Sequence, residues 1–211
     1  MKYQSFYLAL GLWIFPAFAG FAFEAPVDKV LSERVSKVEV PVHEDTCFSP
    51  DEPCAEKLAA FLDSAQKTLD IAIYDLNIEE LVAILIRKAK TLELRIVCDK
   101  KQARGAHSQI YRLLENGVNV RYGKQRGGVM HDKFVIVDGR ILETGSFNYT
   151  NHARLANQEN QVYLSSPQIV NRYLERYEQI WASSVAIDLQ NLRKEITADS
   201  LVSLPANSSR P

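Results

Sequence analysis

Apolar residues along the chain follow two spacings, one typical of buried strands and the other of amphipathic helices. Short apolar-rich runs of strand length lie at 38–42, 69–74, 94–98, 118–122 and 161–164. Segments with apolar side chains three and four positions apart, as on one helix face, lie at 53–66, 77–88, 106–115 and 167–184. Strands that alternate with helices predict an α/β fold, with a mixed, largely parallel β-sheet flanked by helices on both faces.

The pattern changes after residue 122. A glycine-containing basic loop at 123–128 precedes two strands that meet at the turn Asp138-Gly139, which is a hairpin signal. The folded domain is therefore expected to span residues 37–186. Residues 187–211 are weakly patterned, and we expect them to form a fraying C-terminal tail.

The first 22 residues have the pattern of a targeting segment. Lys2 precedes a nearly uninterrupted apolar run over residues 6–23, and Ala17 and Ala19 supply the small residues of a signal-peptidase site. We therefore expect a cleaved signal peptide at 1–22, followed by a charged connector at 23–36. The alternative is an uncleaved membrane anchor, because the run approaches the roughly 20 residues that span a bilayer.

Export would place the cysteines in an oxidising compartment. Cys47 and Cys54 flank a short turn and are expected to form a disulfide. The alternative is a zinc site that these two cysteines form with His43, although the sequence offers no evident fourth ligand. Cys98 lies in an apolar strand and is expected in the core.

The formal net charge is −1, but the charges are unevenly distributed. Residues 87–126 hold eleven Lys and Arg against three acidic residues. Such a block is typical of a surface that follows a nucleic-acid backbone, whereas its single members could equally be solvated helix faces. The residues expected to contact nucleic acid are Lys100, Lys101, Arg104, Lys124 and Arg126.

The candidate chemistry begins with a histidine and a lysine two positions apart. In a strand over 131–138, His131 and Lys133 share one face, whereas Asp138 faces the other way. An imidazole nitrogen can attack phosphorus, and an ammonium group can stabilise the charge that grows on the non-bridging oxygens. The two residues are therefore the candidate nucleophile and phosphate-binding cation of a phosphodiesterase, and Asp138 is expected to support the adjoining loop.

The hairpin returns towards His131 with a second group of polar residues. Gly145 permits close approach of the backbone, and the Ser146 hydroxyl and the Asn148 amide can donate to phosphate oxygens. Glu159 opens the next strand, where its carboxylate is expected to hold the His131 imidazole in the tautomer needed for attack. The sequence thus predicts a nucleophile, an acid that orients it and a phosphate clamp.

The order H-x-K-x4-D-x6-G-S-x-N, from His131 to Asn148, resembles the signature of the phospholipase D superfamily. One copy is present, as in the small branch that holds bacterial exported endonucleases of the Nuc type and mitochondrial cardiolipin hydrolases. The resemblance implies a phospholipase D-like domain and a homodimer with the active site on its two-fold axis. One copy of His131 would form a phosphohistidine and the second would protonate the leaving oxygen, without a metal or other cofactor.

Three functions are consistent with the sequence. The preferred one is a metal-independent, sequence-nonspecific endonuclease for DNA or RNA, because the basic block lies next to the site. The first alternative is a phospholipase D or cardiolipin hydrolase, which would contact the membrane only through an uncleaved N-terminal segment. The second is a non-catalytic nucleic-acid-binding module. A sequon at residues 148–150, where a glycan would block the site, favours the bacterial periplasm as the destination of export.

Overall fold

The structure is a computed structural model that describes residues 44–123 and 127–202, with the side chains of the last helix described as far as residue 196. Its centre is an eight-stranded sheet. The strands are β1 (Glu44–Ser49), β2 (Thr68–Ile73), β3 (Glu93–Cys98), β4 (Asn119–Tyr122), β5 (Phe134–Val137), β6 (Ile141–Gly145), β7 (Glu159–Leu164) and β8 (Val185–Ala186). The helices are α1 (Cys54–Asp63), α2 (Glu79–Lys88), α3 (Lys100–Ala103), α4 (Ile110–Glu115), α5 (Asn151–Leu155), α6 (Pro167–Ser183) and α7 (Leu189–Val202).

Local signals in the sequence explain where several helices begin. Asp99 accepts hydrogen bonds from two backbone N–H groups in the first turn of α3, and the Thr150 hydroxyl accepts one from Ala153 in α5. Pro167 occupies the first turn of α6, where a missing N–H costs no hydrogen bond. Each of these helices therefore starts at a residue that satisfies or removes an otherwise unpaired donor.

The strand order across the sheet is β1-β7-β6-β5-β2-β3-β4-β8. Among the described strands, the pairs β2–β3 and β3–β4 are parallel, and the other five neighbouring pairs are antiparallel. The α/β class, the mixed sheet and the flanking helices are confirmed, but the prediction of a largely parallel sheet is wrong. The reason is that a hairpin turn joins β5 to β6, and β5 enters the sheet antiparallel to β2 without a preceding crossover helix.

The two faces of the sheet carry separate hydrophobic cores. Side chains alternate along β2, so that Ile71 and Ile73 enter one core and Ala72 enters the other. Leu58 of α1 belongs to the first core, and Tyr177 of α6 belongs to the second. Helices therefore cover both faces of the sheet.

The structure describes the C-terminal end of the domain, whereas the predicted N-terminal end lies outside the described residues. The expected strand at 38–42 lies outside the described residues, and the first described strand is β1, which pairs with β7 at the edge of the sheet. The expected tail from 187 onwards forms α7 as far as residue 202. This helix packs on α4, because Leu192 is buried and Arg193 forms an ion pair with Glu115 at 2.5 Å.

The targeting segment and the connector, residues 1–36, lie outside the described part of the chain, so export stays a prediction. Within the residues that the structure describes, no helix combines the length and the apolar character that crossing a membrane requires.

Cys47 and Cys54 form a disulfide, with their Cα atoms 5.6 Å apart. The bridge links the end of β1 to the first residue of α1. In the described part of the chain, these cysteines and Glu52 are the only group whose side chains cluster closely enough to hold a metal ion. The disulfide leaves neither sulfur as a thiolate, so the structure has a covalent link in place of the alternative zinc site, and His43 lies outside the described residues.

Candidate active site

Four strands, β2, β5, β6 and β7, begin or finish at the same end of the sheet. Strands β2 and β5 are antiparallel, with Ala72 opposite Phe134, so the residues after β2 lie beside those before β5. Strand β6 runs back beside β5 and ends at Gly145, and β7 begins close by at Glu159. The topology therefore brings predicted site residues from three separate segments of the chain to this end of the sheet.

His131 and Lys133 meet at the ring of Tyr74, the first residue after β2. The ring centroids of His131 and Tyr74 are 4.6 Å apart, and Lys133 Nζ lies 5.0 Å from the Tyr74 centroid. Lys133 Nζ also donates a hydrogen bond to the backbone carbonyl of His131 at 2.9 Å. An aromatic platform rather than strand alternation brings the two side chains together, because β5 begins only at Phe134.

The two reactive groups differ in exposure. The His131 side chain is exposed, whereas Lys133 is only 8% exposed. Burial lowers the pKa of the Lys133 ammonium, and nearby carboxylates, first among them that of Glu159, oppose this shift. The lysine is therefore a cation partly withdrawn from water, whose attraction for a phosphate is weakly screened, while the imidazole stays open to substrate.

Tyr74 is a site residue to which the sequence analysis assigned no role. Its hydroxyl accepts a hydrogen bond from Gln102 Nε2 at 2.7 Å, which fixes the ring beneath the two reactive side chains. A cation over an aromatic ring is worth about 1 kcal/mol. The signal that could have found Tyr74 was its position directly after a buried apolar strand.

Asp99 is a second site residue that sequence analysis missed. It is fully buried after β3, and one carboxylate oxygen accepts the backbone N–H groups of Lys101 and Gln102 at 2.8 and 3.0 Å. The other oxygen accepts the backbone N–H of Met130 at 3.2 Å. Asp99 therefore ties the residue before His131 to the start of α3.

Glu159 is placed beside Ser146 and not beside His131. Its carboxylate accepts hydrogen bonds from Ser146 Oγ and, at 2.8 Å, from Asn157 Nδ2. No hydrogen bond joins Glu159 to His131 within the described ranges. The reason is the strand order, because β6 lies between β7 and β5 and separates them by two strand spacings, roughly 10 Å. The expected orientation of His131 by Glu159 within one chain is therefore replaced by orientation of the Ser146 hydroxyl.

The two predicted phosphate donors differ in availability. The Ser146 hydroxyl donates to Glu159 and accepts the backbone N–H of Asn160 at 3.1 Å, so its proton is already engaged. Asn148 is half-buried, its side-chain Nδ2 donates no hydrogen bond among the residues described, and its buried Oδ1 also lacks a partner there. Asn148 is therefore the donor of this pair that can serve a phosphate oxygen, and Ser146 mainly joins β6 to β7.

Gly145 is required by the close approach of β6 and β7. A Cβ atom at this position would lie 2.1 Å from the backbone carbonyl oxygen of Asn160. Because the clash is with backbone, a side-chain rotation cannot relieve it, and the two strands would have to separate.

Gly145→Ala is expected to lower the free energy of unfolding by about 2 to 4 kcal/mol, because strand separation disrupts the sheet next to the site. Urea denaturation measures this change. The control is Gly128→Ala, where an added Cβ meets no atom within 4 Å, and its unfolding free energy should stay near that of the parent protein. Equal stability of both variants would contradict the steric argument.

Asp138 lies at the opposite end of the sheet, in the turn that joins β5 to β6. Its carboxylate accepts three successive backbone N–H groups, those of residues 66–68, at 2.7 to 3.1 Å. Partial burial raises the pKa of Asp138, but these donors outweigh it and lower the pKa below the ordinary value. Asp138 and Gly139 have φ of 53° and 64°, as a tight hairpin turn requires. Asp138 thus holds the scaffold and lies away from the reacting groups.

Ion pairs within the chain neutralise much of the basic block at 87–126. The pairs are Arg87 and Lys88 with Asp63, Arg95 with Asp70 and Glu178, Arg104 with Glu195, and Arg112 with Glu79. Lys100 and Lys101 are exposed at the start of α3. Lys124 and Arg126 lie outside the described residues. The described part of the block therefore offers less available positive charge than its composition indicates.

A cleft of about 490 Å³ opens beside His131. The segment that holds His131 and Asp132 forms one wall, and α6 forms the other with Arg176, Gln179 and Ser183. The candidate nucleophile is therefore accessible from a cavity of the size that small ligands occupy.

Comparisons with known proteins agree with this arrangement. The family model described as "Cardiolipin synthase, PLD-like domain" matches residues 58–181. The mitochondrial cardiolipin hydrolase of Chlamydomonas reinhardtii is 35% identical over 128 residues, which cover 59% of this chain and 57% of that protein. The phospholipase D of Rickettsia bellii is 27% identical over 133 residues, which cover 63% of this chain and 66% of that protein. The chain thus spans about three fifths of the length of the curated relatives it matches.

Among solved structures, the phospholipase D family member Nuc from Salmonella typhimurium superposes with a TM-score of 0.65 at 25% identity. The match covers 69% of this chain and 98% of that one. The superposed region therefore contains nearly the whole of that smaller chain.

Proposed function

Because the chain belongs to the family described as cardiolipin synthase, PLD-like domain, we propose that it is a phosphodiester hydrolase of the phospholipase D type. The observation that carries the proposal is the meeting of His131 and Lys133 on the Tyr74 ring, with His131 also lining the cleft. This arrangement places an exposed imidazole next to a partly buried cation, as nucleophilic attack on phosphorus requires.

In the proposed reaction, a nitrogen of His131 attacks phosphorus, and the phosphorus–nitrogen bond forms as the bond to the leaving oxygen breaks. Lys133 and Asn148 stabilise the charge on the non-bridging oxygens. An imidazolium donates its proton to the leaving oxygen and then, as the neutral imidazole, takes a proton from water. The water oxygen bonds to phosphorus, the phosphorus–nitrogen bond breaks, and one phosphodiester becomes a phosphomonoester and an alcohol.

The acid in this reaction is proposed to be the second copy of His131 in a homodimer. Two features of the described part of the chain support this. It has one histidine–lysine pair at this end of the sheet, and Glu159 contacts Ser146 instead of His131. Each subunit would then supply half of the reacting groups around a two-fold axis.

Subunit mixing is expected to show that both copies of His131 are needed. If the parent protein is unfolded and refolded with an equimolar amount of His131→Ala, random pairing should reduce activity per parent chain to about one half. Refolding with an equal amount of unmodified chain is the control. Activity per parent chain that is unaffected by the inactive subunits would show that each subunit carries a complete site.

The proposed substrate is a phospholipid phosphodiester of the cardiolipin type. Support comes from the relatives named cardiolipin hydrolases, of which the human protein is 35% identical over 133 residues. It also comes from the ion pairs that neutralise the described part of the basic block, which weakens the preference for nucleic acid. A nuclease is the second candidate, because Lys100 and Lys101 stay exposed just after β3.

The two substrates can be separated by one set of assays. The purified protein is incubated in EDTA with cardiolipin vesicles, single-stranded DNA, double-stranded DNA and RNA, beside His131→Ala. Cleavage of cardiolipin with every nucleic acid left intact supports the lipid assignment, whereas the reverse supports the nuclease. Binding of nucleic acid without turnover of any substrate would leave the non-catalytic binding module.

A further inference from the structure

The cleft beside His131 has a wall to which the proposed reaction gives no role. Arg176, Gln179 and Ser183 line it from α6, at positions that share one helix face. Tyr177 and Ile180 of the same helix pack into the core, and Ile180 also lines the cleft beside the three polar residues. The polar stripe is therefore presented to the cleft and contributes nothing to the core.

Arg176 is the one cation on the described lining of this cleft. Its side chain is 59% exposed, and its ion pair with Asp132 is 3.7 Å long, which is beyond hydrogen-bond distance. A guanidinium carries five N–H donors, so this contact leaves the donors available to a planar pair of phosphate oxygens. The Asp132 carboxylate, next to the nucleophile, keeps the cation at the same end of the cleft as His131.

We propose that Arg176, with Gln179, binds a second phosphodiester of the substrate while His131 attacks the first. The ligand class is a phospholipid with two phosphodiesters in one headgroup. This inference rests on the proposed function, because it takes the scissile phosphate to lie at His131 and Lys133. It gives a role to the cation on the α6 wall of the cleft.

A single cation of this kind selects between otherwise similar lipids. Cardiolipin carries two phosphodiesters, whereas phosphatidylglycerol carries one and could not reach both His131 and Arg176 at once. A bidentate arginine–phosphate contact stabilises binding enough to give about a tenfold or larger difference in affinity. The second contact would therefore set substrate preference and leave the chemistry at the first phosphate unchanged.

The test measures binding of soluble headgroups by calorimetry, in a His131→Ala background that prevents turnover. The probes are deacylated cardiolipin, glycerophosphoglycerol and the trinucleotide TpTpT. Arg176→Ala should weaken deacylated cardiolipin by at least about tenfold and glycerophosphoglycerol by less than about twofold. The matched control is Arg172→Ala, an exposed arginine one turn earlier on α6 and outside the cleft lining, which should weaken neither.

Equal losses for the two headgroups, or equal losses in the two arginine variants, would overturn the proposal, because they indicate general charge attraction. A loss confined to TpTpT would also overturn it and assign the site to nucleic acid. A parent protein that cleaves no phosphodiester, but whose deacylated cardiolipin binding depends on Arg176, would refute the proposed function and leave this binding site standing.

Discussion

His131→Ala is expected to lower phosphodiesterase turnover by at least about 10⁴-fold, because it removes the attacking nitrogen. In a homodimer, the same substitution also removes the acid that protonates the leaving oxygen, so no residual route through general acid catalysis is left. The affinity for substrate should change far less, since Lys133 and Asn148 still bind the phosphate oxygens. The effect should therefore appear in kcat and not in KM.

The measurement is single-turnover cleavage of a substrate labelled with ³²P, followed by acid and alkaline treatment of the trapped protein. A phosphohistidine is acid-labile and stable to alkali, and label of this kind should be present in the parent protein and absent from His131→Ala. His152→Ala is the matched control, because His152 is another exposed histidine, in α5. Full turnover in His131→Ala, or loss of turnover only in His152→Ala, would exclude the assigned nucleophile.

Glu143→Gln is expected to make the protein more stable than its parent in alkaline solution. Glu143 is fully buried in β6, between Val135 of β5 and Tyr163 of β7. Burial raises the pKa of its carboxyl from 4.5 to about 8, and interaction with Tyr149 offsets only part of this shift. The folded protein therefore keeps a proton on Glu143 that the unfolded chain releases near pH 4.5.

The direction of the pH dependence follows from this difference in bound protons. The contribution of protonated Glu143 to the free energy of unfolding is fully present below the pKa of this carboxyl in the unfolded chain. It is lost as the pH rises towards about 8, by up to about 4 to 5 kcal/mol. Urea denaturation from pH 5 to 8 should show this loss in the parent protein and a flatter profile in Glu143→Gln. Glu175→Gln, at an exposed position on α6, should follow the parent. Parallel profiles for the parent and Glu143→Gln would contradict a neutral buried Glu143.

The sequence predicted most elements of this fold but not their arrangement. Apolar spacing located β2, β3, β4, α1, α2 and α6, because burial on one face leaves a period that is visible along the chain. The same spacing contains no information on which strands become neighbours in the sheet. Strand β5 is buried on both sides and could have extended a parallel sheet, yet its antiparallel pairing with β2 and β6 makes the sheet mostly antiparallel.

The candidate site divides in the same way. The motif residues His131, Lys133 and Asn148 lie at one end of the sheet. The sequence already implies this, because residues before the first strand of a hairpin and residues after its second strand lie side by side. The assignment of Glu159 to His131 stays a prediction, because within one chain β6 lies between their strands and Glu159 contacts Ser146. Sequence alone gave Tyr74 no role, because an aromatic residue at the end of a strand more often packs in the core than supports the side chains of a site.

The backbone contacts of Asp138 also bear on how the chain folds. Its bond to Thr68 spans 70 residues, and the neighbouring pairs of β5 with β2 span 62 to 68, so both are formed only after a long loop closes. During synthesis from the N-terminus, β2 leaves the ribosome well before β5. Strand β2, to which the β5–β6 hairpin attaches, has therefore already been synthesised when that hairpin emerges.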